Sequence, residues 1–217
     1  MTENSRPSKQ VALLHGLCRS ARSMYKLESA LTADRETVFN IEYPSRKYPI
    51  EQLAESVRAT LIEQTDPAQP IHFVTHSMGG ILVRQIQKSN PLSNIGRVVM
   101  LAPPNQGSEV VDKLAWTPVF KWLNGPAGQQ LGTAPDGFIA QLGPVDFDCT
   151  VLTGDRSMNW INSLLIPGPD DGKVSTESAK VRGMASYRIV HTTHPIIMSH
   201  QKVISETIHF LNHGSFS

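Results

Sequence analysis

An α/β fold is predicted for this chain: one domain over residues 1–217, with a mostly parallel central sheet of about six strands, helices on both faces and a short helical insert at 108–143. Three observations carry the prediction. Short apolar, β-rich runs alternate along the chain with stretches of helical spacing, the rhythm of strand–helix–strand units. His15, Ser77, Ala102, Asp155 and His194 all follow predicted strand ends, and right-handed crossovers put those ends on one edge of a parallel sheet, where chemistry collects. The length of 217 residues, with 40% hydrophobic and 18% charged residues, suits one soluble domain with a sizeable core.

Each element follows from its own pattern. Residues 1–9 read as a loosely held lead. Val11–Leu14 is a buried-strand run, and Ser20–Leu31 is a helix striped by Met24, Leu27 and Leu31. Thr37–Tyr43 is a strand closed by Pro44, and Ile50–Glu63 is an amphipathic helix on Leu53, Val57, Leu61 and Ile62. Ile71–Val74 is a strand, and helical spacing sets in at Ile81 and stops at Asn90-Pro91, since a residue before proline is pushed out of the helical region. Arg97–Leu101 is the next strand. Residues 108–143 then mix apolar and aromatic residues with glycines and prolines, which reads as short helices and loops inserted between strands. Cys149–Thr153 and Tyr187–Val190 are strands around a loop-like Arg156–Asp171, and Gln201–Leu211 is a closing helix on Val203, Ile204, Ile208 and Leu211.

A net charge of +1 gives no broad basic field for nucleic acid or an anionic membrane. No run approaches the roughly 18 apolar residues of a membrane helix, and the polar start MTENSRPSKQ lacks the apolar stretch of a secretory signal, so a cytoplasmic protein is expected. The two cysteines, Cys18 and Cys149, are read as free thiols.

The stretch around which the chain is organised is Ile71–Gly80. A strand that turns straight into a helix with a serine at the corner is a nucleophile elbow, which lifts the Ser77 hydroxyl above the sheet and aims the first helical N–H groups at its target. The alternative is a plain Gly-rich turn. Thr75 and Gly79, two residues either side of the serine, are expected to face each other across that turn. A serine needs a base and the base an orienting carboxylate, in the chain order Ser, Asp or Glu, His. His194, between the last strand and the last helix, is the chosen base; His191 and His200 are rivals with packing roles expected, and His72 is read as structural. Asp155, Asp170 and Asp171 lie in the right interval, and the tight turn Asp171-Gly172-Lys173-Val174 favours Asp171, with Asp155 free to pair with Arg156. The N–H groups of Leu17, after His15-Gly16, and of Met78 are the expected oxyanion donors.

These pieces together resemble an α/β-hydrolase of the lipase and esterase type, of a small-lid bacterial branch. They are ALLHGL (Ala12–Leu17), THSMGG (Thr75–Gly80), APPNQGSEV (Ala102–Val110), DGKV (Asp171–Val174) and HPIIMSHQKVISETIHFLNHG (His194–Gly214), which cover nearly the whole chain in family order. The resemblance supports Asp171 as the acid and His194 as the base. Thr75 stands where the family has glycine, and His194-Pro195-Ile196 where it has an H-T-F-like sequence.

The expected chemistry is hydrolysis of a small-molecule carboxylic ester through an acyl-enzyme, on short- to medium-chain acyl groups. No metal or organic cofactor is called for, since no ligand cluster has metal spacing. His15 and Gly16, with Trp116 and Phe120 of the insert, are assigned to substrate; most other apolar residues of the insert (Val110, Leu114, Trp122) are expected to pack it down. A thioesterase or acyltransferase using the same residues, and a non-catalytic binding module, are the alternatives.

Overall fold

The computed structural model describes residues 8–34, 36–156, 171 and 174–217. Six strands, β1 (Gln10–Leu14), β2 (Thr37–Ile41), β3 (Ile71–His76), β4 (Ile95–Leu101), β5 (Cys149–Gly154) and β6 (Ser186–Val190), form one sheet in the order β2-β1-β3-β4-β5-β6. Every pairing in it is parallel. The described helices are α1 (Tyr25–Ala33), α2 (Ile50–Gln64), α3 (Met78–Ser89), α4 (Glu109–Leu114), α5 (Pro118–Gln129), α6 (Phe138–Leu142) and α7 (Gln201–His213).

The central strands read as nearly continuous apolar runs because both faces of the sheet are covered there. Alternate residues of each central strand belong to different cores. Ala12, Leu14, Phe73, Val98 and Met100 pack with α2 and α3 on one side. Val11, Leu13, Val74, Val99 and Leu101 pack with α1 and α7 on the other. The period of two in a strand sends successive side chains to opposite faces.

Several boundaries differ from expectation by a few residues, two of them for identifiable reasons. The elbow helix begins at Met78, directly after the serine, rather than at Ile81, because Gly79 and Gly80 carry no side chain from which a period could be read. The first helix enters through a tighter 3-10 turn, Ala21–Met24.

Gly79 and Thr75 do not face each other. A Cβ on Gly79 would meet the carbonyl oxygens of Leu14 at 2.5 Å and His15 at 3.0 Å, so this glycine lets the first turn of α3 sit on the end of β1. Gly80 is the residue opposite Thr75: its Cβ would lie 3.2 Å from Thr75 Oγ1 and 3.3 Å from Met100 Sδ. The second glycine of the motif therefore makes the room that a threonine at 75 requires.

His72, on β3, accepts a hydrogen bond at Nδ1 from the Arg97 N–H at 2.9 Å, and only the neutral ring can do so. Burial, helped by the charges of Lys9 and Arg97, holds His72 down at about 4.

Two predictions follow from this packing. Gly79→Ala, which drives a methyl into backbone, destabilises by about 3 kcal/mol, and Gly80→Ala, which meets movable side chains, by about 1 kcal/mol. In a Thr75→Gly background only the Gly80→Ala cost shrinks; urea midpoints measure each. The unfolded chain protonates His72 near 6.5 whereas the folded chain resists until about 4, so stability is lost as pH falls through that window. His72→Asn, which keeps an acceptor without titrating, flattens the slope of the urea midpoint against pH there.

Candidate active site

The Ser77 backbone sits at φ 52°, ψ −121°, in a region that few side chains other than glycine tolerate. Its neighbours hold it there: the Ser77 N–H donates to the Leu101 carbonyl at 2.8 Å, and the Gly80 N–H donates to the Ser77 carbonyl at 3.1 Å. Met78 is the first residue of α3, so helix geometry leaves its N–H without an intrahelical acceptor.

His194 and Asp171 are joined twice. The imidazole Nδ1 lies 2.7 Å from Asp171 Oδ2, and the His194 N–H donates to the Asp171 carbonyl at 2.9 Å. Since a carboxylate can only accept, Nδ1 carries the proton of this hydrogen bond, which leaves Nε2 as the acceptor nitrogen of the neutral ring. The Val174 N–H donates to Asp171 Oδ1 at 2.9 Å, so both carboxylate oxygens are engaged, and both side chains are buried. Gly154, at the end of β5, permits this approach: a Cβ there would lie 2.3 Å from the Thr192 carbonyl and 3.2 Å from Asp171 Cβ.

Ser77 and His194 line one cavity of about 240 Å³, together with Leu17, His76 and Phe120. Between these two described residues there is no direct hydrogen bond. His76, next to the serine, donates from Nε2 to the His194 carbonyl at 3.1 Å, and its ring lies 4.9 Å from the His194 ring. Arg19, also in the wall, donates to the Pro195 carbonyl at 3.4 Å. Neither His76 nor Arg19 was singled out from sequence. His76 could have been found from its place beside the elbow serine, whereas nothing local marks Arg19.

The loop His15–Leu17 is braced from behind. Tyr43 is stacked on His15 with ring centroids 4.0 Å apart, and its hydroxyl donates to the His15 carbonyl. Burial lowers the pKa of the His15 ring and raises that of the Tyr43 phenol, so both stay neutral. Gly16 carries no Cβ because one would lie 2.8 Å from His76 Nδ1 and 3.1 Å from Ser77 Cβ.

The residues assigned to substrate separate accordingly. Phe120 lines the cavity. Trp116 does not: it is 75% exposed, with its indole N–H donating to the Lys113 carbonyl. His15 is fully buried behind the cavity and Gly16 is a spacer, so neither belongs to the lining. Val110, Val111 and Leu114 do line it, while Trp122 stays 74% exposed. Asp155 pairs with His191 at 2.8 Å rather than with Arg156. Asp170, Gly172 and Lys173 lie outside the described residues.

Cys18 is exposed and Cys149 buried, both as free thiols. Among the described residues no group of three or more His, Cys, Asp or Glu side chains is arranged to hold a metal ion. No described helix is long and apolar enough to cross a membrane.

A sequence model described as "Alpha/beta hydrolase family" matches residues 11–196. The mature form of a lipase from Bacillus licheniformis superposes with a TM-score of 0.74 at 17% identity, over 96% of this chain and 94% of that one. Phospholipase PlaB from Legionella pneumophila gives 0.74 at 18% identity, over 95% of this chain and 58% of that one. Carboxylesterase CesB from Bacillus subtilis gives 0.61 at 12% identity, over 98% and 86%. At these identities the likeness concerns the fold. No curated protein matches.

The His194–Asp171 pairing has a spectroscopic consequence. A low-field proton resonance from the His194 Nδ1–H is expected in the proton NMR spectrum, and Asp171→Asn removes it. Its survival in that variant would mean another acceptor.

Proposed function

The chain belongs to the alpha/beta hydrolase family, and on that premise we propose that it hydrolyses carboxylic esters through an acyl-enzyme formed on Ser77. The observation that carries the reading is the buried His194–Asp171 pair opening onto the same cavity as a serine held at a strained strand-to-helix corner. In it His194 Nε2 takes the Ser77 proton as the hydroxyl oxygen attacks the ester carbonyl. Asp171 keeps the proton on Nδ1 and stabilises the imidazolium that forms.

The N–H groups of Leu17 and Met78 receive the developing oxyanion, a contribution of about 3 kcal/mol for one such donor. Support comes from the braced Tyr43–His15 stack, which fixes the loop before Leu17, and from the position of Met78 at the head of α3. His194 then protonates the leaving alcohol, activates a water and so releases the acid. Residues 1–217 act as one domain in this reading, with 108–143 as a cap whose inner face carries Val110, Leu114 and Phe120 into the cavity. A cavity of about 240 Å³ is below the usual range for drug-sized ligands, which favours short- to medium-chain acyl groups. The structural neighbours, a lipase, a phospholipase and a carboxylesterase, support the reading of ester chemistry.

With a panel of nitrophenyl esters of rising acyl length, turnover is expected to peak at short to medium chains. Ser77→Ala lowers kcat by about 10⁴- to 10⁶-fold and Asp171→Asn by about 10⁴-fold, with melting temperatures close to the parent. Turnover by Ser77→Ala within tenfold of the parent would end the proposal.

A further inference from the structure

A second cavity, of about 560 Å³, lies between the cap and the outer flank of α3, away from Ser77 and His194. Its charged lining residues are Arg84 from α3, with Lys180 and Arg182 from the stretch before β6, and no carboxylate stands in the wall. Lys180 is partly offset by Glu177, 2.7 Å away in a solvent-facing pair. Arg182 is exposed and forms no ion pair with any described residue.

Arg84 is the unusual member. It is 5% exposed, yet every acceptor it meets is neutral. Nη1 donates to Asn105 O at 2.9 Å and Oδ1 at 3.1 Å, and Nη2 donates to the Gly143 carbonyl at 2.7 Å. Its Nε has no partner. Asn105 is itself locked, donating from Nδ2 to the Ala179 carbonyl at 2.9 Å, which keeps its oxygen turned to the guanidinium. A buried guanidinium without a counter-charge is costly, and burial pulls Arg84 down to about 10. The charge is thus fixed in place, held by dipoles alone, beside a cavity whose other charged groups share its sign.

We propose that this cavity binds a phosphate group, free or carried as a phosphomonoester, between Arg84 and Arg182 with Lys180 as a third contact. A phosphate presents several acceptor oxygens and can carry two negative charges, and guanidinium groups are the side chains best shaped to hold it. The occupied site joins α3 to the cap, because the same guanidinium reaches the Gly143 carbonyl at the end of the cap. This inference does not depend on the ester chemistry proposed above.

The test is calorimetric titration of the full chain with inorganic phosphate and, separately, with phenyl phosphate, against sodium chloride at matched ionic strength. Binding with Kd below about 1 mM is expected, together with slower hydrogen exchange over residues 132–143. Arg182→Gln, an exposed change, weakens binding about tenfold, the factor for one lost charge-assisted contact. Arg84→Lys, which keeps the charge and loses the fork, does likewise, and Ser77→Ala binds as the parent does. Tighter binding of phenyl phosphate than of phosphate points to an esterified ligand, and the reverse to the free ion; either supports the site. Phosphate binding no better than chloride, or unaltered by Arg182→Gln, would overturn it. If Arg84→Lys fails to fold, Arg182→Gln decides alone.

Discussion

The close approach of the first turn of α3 to the end of β1 is the constraint on which the rest of the molecule depends. Gly79 rests on the carbonyl oxygens of Leu14 and His15 with no room for a methyl. That contact fixes where α3 starts, and so how sharply the chain must bend at Ser77. The bend costs on the order of 1–3 kcal/mol in backbone strain. It is sustained because β3 is paired on both sides and α3 is buried along most of its length. Were α3 to lift away, the N–H of Met78 and the loop from His15 to Leu17 would diverge. Gly16, pressed against Ser77 and His76, closes the same junction from the other side.

Much of this was legible in the amino-acid order. The central strands β1, β3, β4 and β5 were found from their apolar runs, because a sheet covered on both faces there leaves no ambiguity about burial. Ser77 and His194 were singled out because they follow strand ends, and Asp171 because of its tight Asp-Gly turn; the fold sets the last two side by side. What could not be read was which contact each small residue serves. Thr75 finds room where the family has glycine, since Gly80 rather than Gly79 stands opposite it. That distinction lies in the tilt of a helix against a neighbouring strand, which no local pattern encodes. Nor could sequence show that His15 is a brace: its partner Tyr43 lies 28 positions away, and the stack exists only once β1 and β2 are side by side.

The insert was the least legible part. Apolar residues occupy both of its faces, so no period separates those that pack from those that do not. In the folded chain Val110, Leu114 and Phe120 turn toward the cavity, whereas Trp116, Val119 and Trp122 face solvent. Besides its core residues Ala127, Leu131 and Ile139, the insert is tied down at points that no apolar pattern marks. A Cβ on Gly125 would lie 1.9 Å from the Arg46 carbonyl, Gly128 lets Leu17 approach, and Arg84 holds the Gly143 carbonyl. Backbone contacts of this kind depend on the shape of the kink at Gly125, which the residue order alone does not specify.

Two His–Asp pairs of similar length stand a few residues apart, and comparing them shows what chemistry asks of the one in the cavity. His191–Asp155 at 2.8 Å and His194–Asp171 at 2.7 Å differ little in distance. They differ in burial: the His191 side chain is 64% exposed and that of Asp155 34%, against 4% and 0% for His194 and Asp171. Water and salt screen the first pair, which is then worth little. Low dielectric strengthens the second, and Asp171 has a further donor in the Val174 N–H to hold its charge away from water. A carboxylate oriented in this way can steady an imidazolium only while solvent is kept out. The insert and the crowded ends of β5 and β6 therefore matter as much to the pair as the two side chains that compose it.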